Sequence, residues 1–439
     1  MEDNKNIDLI IKKLNIKSNE LYFSDFKLND LANKYGTPLY IVDEELIREK
    51  CRLFKKAIKD SLKNNGNILY ASKALSAKFI YEIIRDEGLG IDVVSTGEIW
   101  TAKFSNFDMS NAFFHSNNKT DFDIQFAIDN KIGYFVVDSE EELFLIDKFA
   151  KEKNIKQNIF IRITPGIDPH TYEKVATGKV DSKFGFSIET GLAEDILKKA
   201  LALKNINLVG FHCHVGSQVF DTQVFFDTVD VMVKFIKFIF EKYHFLVAGL
   251  NMGGGFAVRY VKSDKQINIY ENIFKICEYI KKKFNENSLE MPQIYFEPGR
   301  SIVADSSITI YTVGSVKKIP NYKNYISVDG GMGDNIRYAL YGAKYTYLPI
   351  SNVLDEFDET YDIVGRFCES GDELQRNVKL PSNIKRGDRI VCLTTGAYQY
   401  SMASNYNRVG KPMMIMISNG KIREVIKRET LDDIIRLDV

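Results

Sequence analysis

Short apolar runs alternate with amphipathic stretches through the middle of the chain. The runs are Asn67-Ile-Leu-Tyr-Ala-Ser72, Gly90-Ile-Asp-Val-Val-Ser95, Asn111-Ala-Phe-Phe-His-Ser116 and Tyr134-Phe-Val-Val-Asp-Ser139, followed by Ile159-Phe-Ile-Arg-Ile-Thr164, Leu208-Val-Gly-Phe-His-Cys-His214, Leu246-Val-Ala-Gly-Leu-Asn-Met252 and Ile294-Tyr-Phe-Glu297. Each is bounded by polar, Gly or Pro residues, the pattern of strands buried on both faces of a parallel sheet. Helical periodicity fills 77–87, 140–153, 194–203, 224–243 and 271–284. Ser95-Thr-Gly-Glu98 and Ser139-Glu-Glu-Glu142 resemble helix-starting capping boxes. Eight strand–helix units over roughly 230 residues predict a (β/α)8 TIM-like barrel. An open doubly wound sheet would share the alternation and stays open on pattern alone.

After Arg300 the pattern shortens to period two. Ser307-Ile-Thr-Ile-Tyr-Thr-Val313, Asn324-Tyr-Ile-Ser-Val328 and Arg389-Ile-Val-Cys-Leu393 are separated by turn residues such as Asn419-Gly420. They predict a β-rich second domain, sandwich- or barrel-like. Residues 1–40 are too short to fold alone, and their strand Pro38-Leu-Tyr-Ile-Val42 should join that domain. The expected division is a barrel over 45–302 and a β-rich domain from 1–44 and 303–439.

A length of 439 residues admits about three domains at ~150 residues each, but a barrel counts as one. Lys+Arg and Asp+Glu balance at 59 each, so no general field draws the chain to nucleic acid or an anionic membrane. Five Cys are too few for a disulfide scaffold and point to a reducing compartment. The N-terminal Met-Glu-Asp-Asn-Lys stretch is charged and does not read as a secretory signal. No run of about 18 apolar residues marks a membrane span. These features predict a cytoplasmic globular enzyme.

The reactive residues fall in phase with the strands. Lys73 closes the first, Asp92 lies on the second, and His115 ends the third. Arg162 is on the fifth, His214 and Ser217 follow the sixth, Gly253-Gly-Gly255 follows the seventh, and Glu297-Pro-Gly-Arg300 ends the eighth. In a barrel these strand ends converge on one mouth. The triple glycine reads either as a tight turn or, beside Ser217 and Arg300, as a phosphate cradle. Lys73 reads as a solvated strand cap or as a Schiff-base lysine. A Schiff-base lysine, a phosphate cradle and an acid together suggest pyridoxal phosphate, with Glu297 pairing the pyridine nitrogen. His212 and His214 read as core histidines, a metal pair or a ring-stacking group; no further ligand at suitable spacing supports zinc, so no metal is expected.

Tyr70-Ala-Ser-Lys-Ala, Phe211-His-Cys-His-Val-Gly-Ser-Gln, Gly253-Gly-Gly, Glu297-Pro-Gly-Arg, Arg337-Tyr-Ala-Leu-Tyr-Gly-Ala343, Cys368-Glu-Ser-Gly-Asp-Glu-Leu374 and Gly396-Ala-Tyr398 occur in this order between Thr37 and Arg423. With these motifs the chain resembles the diaminopimelate decarboxylases, among the barrel-type pyridoxal-phosphate decarboxylases. The resemblance implies decarboxylation of meso-2,6-diaminopimelate to L-lysine and CO2, the last step of lysine biosynthesis. It implies Lys73, His214, Glu297 and Cys368 as catalytic residues. Lys73, Asp92, His214, Ser217, Gly254, Gly255, Glu297, Pro298, Gly299, Arg300 and Tyr398 would hold pyridoxal 5'-phosphate. Arg300, Arg337, Tyr341, Glu369 and Tyr398 would bind substrate. It further implies a homodimer in which Cys368, the proton donor, and Glu369 come from the other subunit. Arg366 in Val364-Gly-Arg-Phe-Cys368 departs from the family's more usual Lys or Pro. The alternatives are a decarboxylase of D-lysine, D-ornithine or a carrier-bound amino acid, and, from a different class, a catalytically inactive regulatory paralogue.

Overall fold

In the computed structural model, which describes residues 9–167 and 182–439, each of the eight apolar runs forms a strand. They are β1 (Gly66–Ala71), β2 (Gly90–Val93), β3 (Ala112–Phe114), β4 (Tyr134–Val137), β5 (Gln157–Thr164), β6 (Ile206–Cys213), β7 (Gly249–Asn251) and β8 (Gln293–Phe296). Each pairs in parallel with the next, and β8 pairs back with β1. The ring is closed, which decides against the open sheet. A two-residue strand, Phe186–Ser187, adds a parallel edge to β5.

A buried layer of large side chains fills the barrel: Leu69, Phe113, Val136, Phe160 and Tyr295. Phe113 contacts Phe160 and Tyr295 at ring-centroid separations of 5.3 and 5.2 Å. Burying one such ring stabilises the fold by roughly 1.5–3 kcal/mol. Gly249 makes the room, since a Cβ there would come within 2.6 Å of the Phe160 ring. The five predicted helices form at Lys78–Asp86, Glu140–Glu152, Leu192–Ala202, Gln223–Tyr243 and Ile269–Glu286. At both predicted capping boxes the serine accepts the backbone N–H three residues on. The reciprocal glutamate bond reaches one residue further back than a standard box. Glu98 accepts from Val94 N at 2.7 Å and Glu142 from Asp138 N at 3.2 Å. The caps thereby tie the ends of β2 and β4 to the helices that follow them.

The β-rich part is organised on one long strand, Ser307–Lys318. It pairs antiparallel with Asn324–Val328, Arg389–Leu393 and Leu39–Asp43. Leu39–Asp43 also runs parallel to Met413–Ser418, so the N-terminal strand is central to this sheet, as expected. The Asn419-Gly420 turn joins Met413–Ser418 to Lys421–Ile426 with positive φ at both positions, as a tight hairpin needs. A small antiparallel sheet of Leu14–Lys17, Glu20–Phe23 and Phe26–Lys27 was not expected. Its turns, Ser18-Asn19 and Ser24-Asp25, place two left-handed residues each without the Asn-Gly or Asp-Gly signature.

Two compact units result. One comprises Arg48–Ala257 and Ile267–Ser301; the other comprises the residues up to Ile47, Val258–Gln266 and Ile302–Val439. Residues 258–266 therefore group with the β-rich unit and not within the expected 45–302 barrel. The cause is local: Thr346 Oγ1 donates to Tyr260 O at 2.9 Å, and the Tyr260 ring packs edge-on against Tyr345. Among the described residues no helix is long and apolar enough to cross a membrane.

Candidate active site

The C-terminal ends of the barrel strands gather around one buried carboxylate. Glu297, directly after β8, is 6% exposed. Its Oε1 accepts from His115 Nε2 at 2.8 Å and Asn251 Nδ2 at 2.6 Å, and its Oε2 from His212 Nε2 at 3.1 Å. These partners come from the ends of β3, β7 and β6. Burial alone would raise the carboxyl's pKa, but the His115 and His212 imidazoles override it and hold the group well below the usual carboxylate range. His212 has no hydrogen-bond partner at Nδ1, and burial pushes its pKa down to about 4, so it is the neutral Nε2–H tautomer. Asp92 is the counterpoint: burial, reinforced by the Glu297 charge, raises its pKa against the pull of His115, Lys73 and Arg162. Its Oδ1 stands 3.8 Å from His115 Nε2. The two neighbouring acids are thus shifted in opposite directions, Glu297 towards its charged form and Asp92 towards its neutral one.

A carboxylate offers about four lone-pair sites. Three donors occupy three of them, leaving Oε2 able to accept one more hydrogen bond. The His115, His212 and Glu297 ligand atoms lie within 4.8 Å of one another, a spacing a cation can also use. The separations of 2.8 and 3.1 Å are hydrogen-bond lengths, however, shorter than the roughly 3.3 Å between neighbouring ligands implied by Zn–N bonds of ~2.0–2.1 Å.

The residues expected to form a phosphate cradle lie beside this carboxylate. Gly254 lies so close to Glu297 that a Cβ would sit 2.1 Å from its carbonyl oxygen; Gly253 and Gly255 hold φ of +66° and +106°. Gly254 N donates to His214 Nδ1 at 3.3 Å. Burial, helped by the positive charges of Lys73 and Arg162, holds the His214 pKa well below that of a free imidazole, so the ring is neutral. Arg300 Nη2 donates to Ser217 Oγ at 2.9 Å, joining the loops after β6 and β8. Pro298 O accepts from Ala71 N at 3.2 Å, setting the Glu297-Pro-Gly-Arg300 turn, with Gly299, against the end of β1. There Lys73 sits in the single turn Ser72–Ala74 with its side chain exposed. Every barrel residue predicted for the site is at this mouth.

Three neighbours were not assigned from sequence. His115 was seen only as a residue of the mouth, His212 as a core histidine, one of a metal pair or a ring-stacking group, and Asn251 was passed over. Asn251 is wholly buried and bridges Glu297 to the glycine turn, since its Oδ1 accepts from Gly253 N at 2.9 Å. A lone Asn inside an apolar strand was the available signal.

In the β-rich unit, Arg337 is buried, with its guanidinium 5.4 Å and 5.5 Å from the ring centroids of Tyr341 and Tyr398. Tyr398 takes φ +60°, a conformation that costs a non-glycine residue about 1 kcal/mol or more and is often kept for function. Cys368 and Glu369 lie on an exposed loop, and Cys368 is the one exposed thiol of the five.

These residues fit pyridoxal phosphate on the structure's own terms. Oε2 of Glu297 can accept from a protonated ring nitrogen, the glycine backbone and the Ser217–Arg300 pair suit a phosphate, and Lys73 offers an amine.

Comparison with known proteins agrees. Residues 44–304 match the family model for the pyridoxal-binding domain of pyridoxal-dependent decarboxylases. The chain is 44% identical over 420 residues to diaminopimelate decarboxylase of Staphylococcus aureus (strain COL), covering 95% of this chain and 97% of that one. It is 42% identical over 410 residues to that of Bacillus subtilis (strain 168), covering 93% of each. Among solved structures, diaminopimelate decarboxylase from M. jannaschii in co-complex with L-lysine superposes with a TM-score of 0.91 at 33% identity, over 98% of this chain and 99% of that one.

Proposed function

The chain belongs to the pyridoxal-dependent decarboxylase family, and from that membership we propose that it decarboxylates meso-2,6-diaminopimelate to L-lysine and CO2. The observation that carries this reading is the near-full-length identity to diaminopimelate decarboxylases. The complete barrel-mouth set around a charged Glu297 accompanies it.

Bound pyridoxal phosphate supplies an electron sink for the pair of electrons left on Cα as CO2 departs. The chain's own residues do the rest. Lys73 would hold the group through its amine. Glu297 keeps a proton on the ring nitrogen, because its charge, preorganised by three donors, costs no reorganisation during the reaction. Neutral His214 can stack on a ring face without adding charge. Ser217, Gly254, Gly255, Gly299 and Arg300 would hold phosphate, with Asp92 and Pro298 framing the site, and the family resemblance assigns Tyr398 to the same group. Arg300, Arg337, Tyr341 and Glu369 recognise the charged ends of the substrate. Cys368 gives its Sγ proton to Cα as the new C–H bond forms, and the thiolate recovers a proton from water.

We extend the proposal to a homodimer with Cys368 and Glu369 acting in the partner's site, as the family resemblance implies, and to a cytoplasmic location, where a free donor thiol stays reduced. The deciding experiment incubates the enzyme with meso-diaminopimelate, D-lysine and L-ornithine and measures CO2. Release from diaminopimelate alone is expected; preferential release from either mono-acid would overturn the assignment.

A further inference from the structure

We propose that Asp372, with Asn407, is a positioning residue: the two latch the Phe367-Cys368 backbone and so aim the Cys368 thiol. The inference rests on the reading of Cys368 as proton donor.

Asp372 is 4% exposed and sits at the far end of the Cys-Glu-Ser-Gly-Asp motif. Its two carboxylate oxygens serve different segments. Oδ1 accepts from Met332 N at 2.6 Å, and Oδ2 accepts from Phe367 N at 2.8 Å. Its backbone carbonyl accepts from Gly365 N at 3.1 Å, and its own N–H donates to Glu369 O at 3.1 Å. One residue thus closes the whole 365–372 loop and pins it to the Gly330–Gly333 turn, four residues before Arg337. The carboxylate is wedged between two glycines. A Cβ on Gly365 would stand 2.3 Å from Oδ2, and one on Gly331 would stand 2.5 Å from Oδ1. Arg366 N, donating to Gly330 O at 3.0 Å, repeats the link.

The next amide along has its own acceptor. Cys368 N donates to Asn407 Oδ1 at 2.9 Å, and Asn407 holds φ +50° to present it. The Phe367 ring stacks on Tyr406, the residue before Asn407, at 5.9 Å and 15°. Successive amides at 367 and 368 are therefore held by two separate side chains, Asp372 at the far end of the same loop and Asn407 from a second segment. The Cys368 side chain itself stays exposed. A loop needing only to be folded would not require both amides beside its reactive thiol to be fixed by separate side chains. A proton donor requires such fixing, since its transfer depends on sub-ångström placement.

The test uses the holoenzyme with N407G, which deletes the acceptor while glycine accepts the positive φ freely, and D372N, which sets an amide N–H₂ against one of the two backbone donors. We expect kcat to fall on the order of 10- to 100-fold in D372N, the loss typical of a misplaced catalytic group, with KM within about twofold. N407G should fall in the same direction by less. Because Cys368 is the only exposed thiol, its alkylation rate by iodoacetamide reports its placement without reference to turnover. That rate should change in both variants while their melting temperatures stay near wild type. Wild-type kcat and alkylation rate in N407G would overturn the latch, whatever D372N does. C368A separates the two ideas: if it turns over diaminopimelate at the wild-type rate, the donor reading fails, whereas an inactive C368A beside unaltered latch variants defeats only the latch.

Discussion

Replacing Glu297 by Gln keeps the side chain's shape and exchanges one acceptor oxygen for an N–H₂ group, which makes its consequences traceable atom by atom. With the amide oxygen at the Oε1 position, His115 and Asn251 keep their bonds at 2.8 and 2.6 Å. The N–H₂ then faces His212 Nε2, at present a donor 3.1 Å away. His212 can respond only by moving its proton to Nδ1, which has no partner in its buried position. An orphaned buried donor costs about 1–3 kcal/mol. The second amide hydrogen points where Oε2 had a free lone pair, so a donor replaces the acceptor that would keep a ring nitrogen protonated. Loss of one preorganised electrostatic partner of this kind costs ~2.7–4 kcal/mol, or about 10²–10³ in kcat. Phosphate and carboxylate contacts are untouched, so KM for diaminopimelate should move little. Initial rates of CO2 release across substrate concentrations measure both. E297Q with kcat within threefold of wild type would refute the assignment of Glu297 as the charge that governs the ring nitrogen.

Other consequences follow from the same geometry. N251L strips Glu297 of its 2.6 Å donor and Gly253 N of its acceptor, leaving two buried groups short of a bond. At ~1–3 kcal/mol each, activity should drop at least tenfold and pyridoxal phosphate should dissociate faster, followed by its absorbance on gel filtration. On pH, His212 is neutral in the fold down to about 4 but titrates near 6.5 when unfolded. The unfolded chain therefore binds the extra proton as pH falls from 6.5 towards 4, and the barrel loses up to roughly 3 kcal/mol across that window. The melting temperature of the apoprotein should fall over this range, and less steeply in H212Q; parallel pH profiles would contradict the assigned tautomer. Finally, mixing K73A with C368A after dissociation and reassembly should restore about a quarter of wild-type activity if sites are shared across a dimer, since half the dimers would be mixed and each would hold one intact site. No recovery, with mixed dimers demonstrated, would place Lys73 and Cys368 in the same subunit's site.

What the sequence revealed and what it concealed divide by range. The eight barrel strands were legible because each is an apolar run bounded by breakers, a property of a few adjacent residues. The two glutamate caps were legible because a serine and its partner lie three residues apart. The small sheet at Leu14–Lys27 was missed because its turns reach left-handed φ through Ser, Asn and Asp in place of glycine. Glu297 defeats local reading altogether: its donors lie 182, 85 and 46 residues away in the chain. Period-two spacing put His212 and His214 together but could not say that His212 turns to a carboxylate while His214 accepts from a glycine amide. Barrel closure makes that choice, because it brings the ends of β3, β6, β7 and β8 within hydrogen-bond reach of one atom group. Asp372 carries the same lesson into the other unit. In sequence it is the unremarked end of the Cys-Glu-Ser-Gly-Asp motif, and only the fold sets its two oxygens on Met332 and Phe367. Motifs therefore named the residues proposed to face the reaction, whereas the residues that hold those groups in place are specified by contacts no linear pattern contains. An inactive paralogue could retain the first set by descent. Retaining the second, with Glu297 charged among three matched donors, is what a working decarboxylase requires.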